Sequence, residues 1–122
     1  MSDIRIEKLK EAIPDIDIDG SITNYTGTED FYLVLLEDYA QADHLKKLEE
    51  ALESKDYETY RRHAHSLKGT SRSVGLMFIA KLCEDLQLAC DRQDFYYIER
   101  THESSIAFIR STIDNINSCL KC

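Results

Sequence analysis

The chain has 122 residues, a length typical of one domain with a sizeable buried core. Its formal net charge of −8 at pH 7 argues against nucleic acid as the main partner, because phosphate backbones select basic surfaces. The longest apolar run, residues 31–36, is too short to cross a bilayer, and residues 1–13 do not resemble a signal peptide. We therefore expect a single domain over residues 1–122, a cytoplasmic monomer with no membrane partner.

Helix breakers are few, with one proline and four glycines in the whole chain. This composition favours long helices. A first short helix is predicted at about residues 4–13. Residues 14–27 contain the proline, two of the glycines and many small polar residues, and we expect them to connect that helix to the main body.

The second predicted helix covers residues 28–54. Thr26 and Glu29 have the spacing of a capping box at its start. Its expected apolar stripe has near-heptad spacing and consists of Phe31, Leu35, Ala42, Leu45 and Leu52.

Three further helices are predicted over residues 56–74, 76–92 and 94–120. Asp56 is suited to cap the first of them, and Gly75 is suited to end it. Each helix has an apolar stripe at helical spacing. Four long amphipathic helices joined by short links predict an all-α fold, an antiparallel up-and-down four-helix bundle with a short extra N-terminal helix.

The four cysteines allow two interpretations, a metal or redox site or simple structural thiols. Cys83 and Cys90 fall on the apolar stripe of a predicted helix, and Cys119 and Cys122 form a CxxC at the end of the chain. That CxxC lacks the strand and helix context of a thioredoxin-like motif. We favour unpaired structural thiols, since cysteine is among the most buried residue types.

One histidine, His65, lies among basic side chains on the third helix. It is about 130° from the centre of the apolar stripe and is expected to face solvent. Gly69 follows it by one turn, and four cations lie within about 60° of it on the helix surface. These are Arg61, Arg62, Lys68 and Arg72.

A solvated basic face with an ordinary surface histidine is the simpler interpretation of this pattern. Gly69 argues against it, because a mid-helix glycine costs about 1 kcal/mol relative to alanine and gains only an absent side chain beside His65. The cations also suit a transient phosphoryl group, since phosphorylation adds about two negative charges. We therefore favour a phosphorylated histidine.

The run from His65 to Gly75 resembles the H-x-L-K-G-x-S-x-x-x-G signature of histidine-containing phosphotransfer (HPt) domains. The resemblance extends over nearly the whole chain, and Gln87 matches a position where one group of members often has a glutamine near the active histidine. It implies that His65 is phosphorylated, that Lys68 stabilises the phosphoryl oxygens and that Gln87 orients the histidine.

The resemblance also implies a docking surface for the partner. Gly69 would leave room for close approach, and Arg61, Arg62 and Arg72 would contribute charge. This chain has Asp91 one turn after the glutamine, where some members have a basic residue. Arg72 or Arg61 is the candidate to supply that charge.

An HPt domain is a phosphorelay intermediate and not an enzyme with its own ATP site. The partners implied are receiver domains of response regulators or hybrid histidine kinases, which provide a phosphoaspartate and the Mg²⁺, so no cofactor is expected on this chain. His63 and His65 point about 160° apart on a helix and cannot share an ion, so no metal site is predicted. His102 is expected in the core and His44 at the surface.

Two other functions stay open at this point. One is a phosphate-free interaction module, although such a module would be expected to lose His65 or Lys68, and both are present. The other is the kinase-phosphorylated domain of a larger sensor kinase, fed directly by an ATP-binding domain.

Overall fold

The computed structural model describes residues 3–121, which are almost entirely helical. No strand occurs in this range, and its only strand-like feature is one antiparallel bridge between Ile16 and Leu76. None of the helices between residues 3 and 121 combines the length and apolar character needed to cross a membrane. The elements are α1 (Ile4–Ala12), α2 (Ile18–Ser21), a π-helical turn (Ile22–Thr26), α3 (Glu29–Gln41), α4 (His44–Glu53), α5 (Tyr57–Ser73), α6 (Met77–Asp91) and α7 (Phe95–Leu120).

The predicted all-α bundle is confirmed. The continuous helix predicted over residues 28–54 is wrong, because the chain is extended at Ala42 (ψ 155°) and a new helix begins after Asp43. The break redirects the chain. As a result α3 packs mainly against α7, while α4 packs mainly against α5.

The start and the buried face of α3 also differ from the prediction. Thr28, and not Thr26, caps the helix, since its Oγ1 accepts a hydrogen bond from the Phe31 backbone N–H at 3.1 Å. This start turns Phe31 outward, where it is 52% exposed, and Ala42 also lies at the surface. The buried side chains of α3 are Tyr32, Leu33, Leu36, Tyr39 and Ala40.

Residues 14–27 were expected to be a simple connection, but residues 15–17 bind the turn between α5 and α6. We call residues 15–17 the N-terminal clasp. The Asp17 N–H donates to the Gly75 carbonyl at 2.8 Å, and the Asp15 carboxylate accepts from the Phe78 N–H at 2.9 Å. Gly75 has φ +82°, and a Cβ there would lie 2.4 Å from the Asp17 carbonyl oxygen. The clasp and the turn therefore both require glycine at this position.

Helix α5 is fixed in the bundle along one face. Its side chains Tyr60, Ala64, Leu67 and Ser71 are all buried. Polar groups on that face are satisfied, since the Ser71 hydroxyl hydrogen-bonds the Tyr39 hydroxyl at 2.8 Å and the Tyr60 hydroxyl meets His102 Nδ1 at 2.8 Å. The opposite face of α5 is left to solvent.

Candidate functional site

His65 lies on the exposed face of α5, as its position on the helix predicts. Helix α5 begins at Tyr57 because Asp56 accepts a hydrogen bond from the Thr59 N–H at 3.1 Å, as expected for an N-cap. Burial of Ala64 and Leu67 on either side of His65 then fixes its direction outward.

Gln87 on α6 is the hydrogen-bond partner of His65. The Nδ1 atom of His65 lies 3.1 Å from the Gln87 Oε1 atom. An amide oxygen can only accept, so Nδ1 is the donor in this contact, and in the matching neutral tautomer the lone pair lies on Nε2. This contact links two residues that are 22 positions apart in the sequence.

Lys68 and Gly69 lie one turn beyond His65. Lys68 is half-buried and has no ion-pair partner among residues 3–121, so its ammonium group is available to an anion. A Cβ added to Gly69 would meet no atom within 4 Å. Packing therefore does not require glycine at this position, in contrast to Gly75.

Two of the predicted docking arginines are paired with carboxylates that α6 contributes. Arg61 hydrogen-bonds Asp91, and Arg72 lies 3.6 Å from Glu84. These pairs lower the positive charge expected from α5 alone, and the periodicity of a single helix cannot predict them because each joins two helices. The sequence feature that indicates the first pair is Asp91, one turn after Gln87, because the antiparallel packing of α5 and α6 brings it opposite Arg61. Arg62 binds the Thr59 hydroxyl at 3.0 Å and stays exposed.

The signature residues divide into two groups by what the fold needs. Leu67 and Ser71 are buried in the core, and Gly75 forms the turn that ends α5. His65 and Gly69 are exposed and stabilise no other part of the molecule through burial. The fold explains the first group, and the second group requires another explanation.

Two of the other histidines, His44 and His102, have structural surroundings. His102 is half-buried, and its partner is the Tyr60 hydroxyl, as expected for a core histidine. His44 is not a free surface side chain: it is half-buried against the Tyr39 ring, and its Nε2 atom is buried without a hydrogen-bond partner. Burial lowers the pKa of both His44 and His102.

Three cysteines lie within the described residues, and all are free thiols. Burial raises the pKa of Cys83 to about 12 and that of Cys90 to about 11, so neither is a reactive thiolate at neutral pH. Cys119 is buried, while Cys122 lies outside the described residues, so unpaired thiols in the CxxC remain a prediction. No group of His, Cys, Asp and Glu between residues 3 and 121 could hold a metal ion.

Comparison with known proteins identifies the family. The family model described as the Hpt domain matches residues 35–116, which is more than half of the chain and includes both His65 and Gln87. No curated protein and no solved structure matches the chain significantly. Hpt domains are phosphotransfer intermediates that interact with receiver domains in phosphorelays, and they differ in this from classical enzymes. This chain belongs to the Hpt domain family.

Proposed function

We propose that this protein accepts a phosphoryl group on Nε2 of His65 from the phosphoaspartate of one receiver domain and passes it to another receiver. The observation that supports this most is an exposed imidazole whose Nδ1 lies 3.1 Å from Gln87 Oε1, while Nε2 has no hydrogen-bond partner among residues 3–121. On this proposal the protein acts as a cytoplasmic monomer and needs no ATP site.

The chemistry is an in-line displacement at phosphorus. The Nε2 lone pair forms the N–P bond as the P–O bond to the receiver's aspartate breaks, and the carboxylate leaves with that electron pair. Nδ1 keeps its proton, and Gln87 Oε1 accepts it in a hydrogen bond as positive charge develops on the ring. Lys68 then stabilises the phosphoryl oxygens.

The receiver must bring its acidic pocket close to His65 for this reaction. The open space at Gly69 supports that approach, because no side chain covers the imidazole from the next turn of the helix. A module that only binds its partner has no need of a nucleophile held in one tautomer, so the His65–Gln87 bond favours phosphotransfer over simple docking.

A labelling experiment tests the proposal. The protein is mixed with receiver domains phosphorylated by acetyl phosphate and, in parallel, with a histidine kinase domain and ATP. We expect an acid-labile, base-stable phosphate to appear from the receivers. His65→Gln should take up none while keeping its helicity and a stability within about 0.5 kcal/mol, as is usual for surface substitutions.

His63→Gln is the matched control, since His63 is only two residues away on the same helix and should not affect labelling. Residual acid-labile phosphate in the His65→Gln protein would assign the reaction to another histidine. Label that arrives only from the kinase with ATP would identify the protein as a kinase-phosphorylated domain instead.

A further inference from the structure

A second contact between α5 and α6 lies one helical turn from His65. Arg61 on α5 pairs with Asp91 on α6, just as His65 pairs with Gln87, so two cross-links join the helices one turn apart. Residues four apart on a helix are neighbours, with Cβ atoms about 6 Å from each other. Arg61 therefore lies beside His65, and Asp91 lies beside Gln87.

The atoms that form this pair leave part of the arginine available. Asp91 Oδ1 accepts a hydrogen bond from the Nε atom of Arg61, and no residue within 3–121 hydrogen-bonds the two terminal Nη groups. Arg72 differs, because it approaches Glu84 through its Nη2 atom, at 3.6 Å. A guanidinium group donates along a planar fork, so fixing Nε also fixes the direction in which the Nη groups point.

We propose that Asp91 is a positioning residue, which holds Arg61 through Nε so that its Nη groups bind the phosphoryl oxygens during transfer to His65. This inference rests on the proposed phosphorylation of His65. The Arg61 and Asp91 side chains are 41% and 40% exposed, so without the pair the arginine would sample many rotamers. The carboxylate removes that freedom before the phosphoryl group arrives.

The sign of one substitution separates this role from simple charge repulsion. A carboxylate near the reacting histidine repels a phosphoryl group, so electrostatics alone predicts that removing Asp91 speeds phosphorylation. If Asp91 acts through Arg61, its removal slows phosphorylation, because the guanidinium is no longer held in place. The two explanations therefore predict opposite changes in one rate.

The test uses the whole protein and phosphoramidate as phosphodonor, and it measures the initial rate of His65 phosphorylation. We expect Asp91→Ala to lower this rate about threefold, within the range of a single exposed ion pair. Asp91→Glu should restore the rate. We expect Arg61→Gln to be slow as well, and in that background Asp91→Ala should cause no further loss, since the two residues act as one unit.

Glu84→Ala is the matched control, because it removes a carboxylate from the same helix and releases Arg72. We expect its rate to be unchanged or higher. Nuclear magnetic resonance of the Arg61 Nε–H group gives a second readout, and its protection from solvent exchange should persist in the phosphorylated protein. A rate that rises in Asp91→Ala as it does in Glu84→Ala would overturn the inference and leave the proposed function intact. Failure of the unaltered protein to label on His65 would overturn both.

Discussion

At the scale of single residues, Lys68 is the one predicted site cation without an acidic partner or a hydroxyl partner within the described residues. Its charge should act mainly on the phosphoryl group during transfer, when negative charge is concentrated there. We expect Lys68→Ala to slow phosphotransfer about tenfold, which corresponds to the loss of one charge-assisted hydrogen bond. Receiver binding should weaken less.

Stopped-flow phosphotransfer and isothermal titration calorimetry with the same receiver measure the two effects separately. Lys81→Ala is the control, since Lys81 is an exposed lysine on α6 that pairs with Asp85 at 3.2 Å. Equal losses in binding and in rate would mark Lys68 as a docking contact and not as a catalytic residue.

Gly69 should give opposite signs for stability and for function. Because a Cβ at this position meets no atom within 4 Å, Gly69→Leu should raise the free energy of unfolding by up to about 1 kcal/mol through helix propensity. The same side chain would stand over the imidazole and block transfer from a phosphorylated receiver. Urea unfolding and phosphotransfer assays measure the two effects.

A smaller substitution and a smaller phosphodonor serve as controls for this prediction. Gly69→Ala should be similarly stable and should transfer at an intermediate rate, and phosphoramidate, which needs less room than a receiver, should still label the leucine variant. A Gly69→Leu protein that unfolds would make Gly69 a packing glycine. One that accepts phosphate from its receiver at the normal rate would refute the close-approach argument.

At the scale of elements, the other signature glycine should behave in the opposite way. Gly75 ends α5 with φ +82°, and an added Cβ would lie 2.4 Å from the Asp17 carbonyl oxygen. Gly75→Ala should therefore destabilise the protein by about 1–3 kcal/mol, through backbone strain and loss of the N-terminal clasp. Urea unfolding beside Gly69→Ala provides the comparison, and equal stabilities of the two variants would contradict this account.

The helix bounds show which features of the fold the sequence pattern predicts. The bounds of α5 and α6 lie within one residue of the expected ones, because Asp56 caps the first and Gly75 separates the two, and both are local signals. The sequence does not predict the break at Ala42, because residues 41–43 include neither proline nor glycine. The different packing partners of α3 and α4 are tertiary information, which no local pattern contains.

The site residues also divide into those that a local pattern predicts and those that depend on packing. His65, Lys68 and Gly69 lie on one helix, so their shared face could be predicted from 3.6-residue periodicity. The pairing of Arg61 with Asp91 does not follow from periodicity, since it depends on the packing of two helices and on which guanidinium nitrogen donates. The orphaned Nε2 of His44 likewise follows from packing against Tyr39 and from no local pattern.

At the scale of the whole molecule, two half-buried histidines, His44 and His102, should make stability depend on pH. Burial is the main cause of the lowered pKa of both His44 and His102, while nearby Glu49 and Glu103 offset part of it at His102. When the pKa of a histidine is lower in the folded state, the unfolded state binds the proton at a higher pH than the folded state does. The stability it contributes is therefore complete above its unfolded pKa of 6.5 and is lost as pH falls below that value.

His102→Asn should weaken this dependence. The Tyr60 hydroxyl lies 2.8 Å from His102 Nδ1. An asparagine Oδ1 can replace Nδ1 as its hydrogen-bond partner, but the amide does not titrate. Between pH 7.5 and 5, we expect the urea midpoint of the unaltered protein to fall more than that of His102→Asn, with His44 causing much of the remaining slope. Combining His102→Asn with His44→Asn should flatten the curve further. Parallel curves for the unaltered and doubly substituted proteins would show that neither histidine links protonation to folding, because only a proton bound differently in the two states can change the slope.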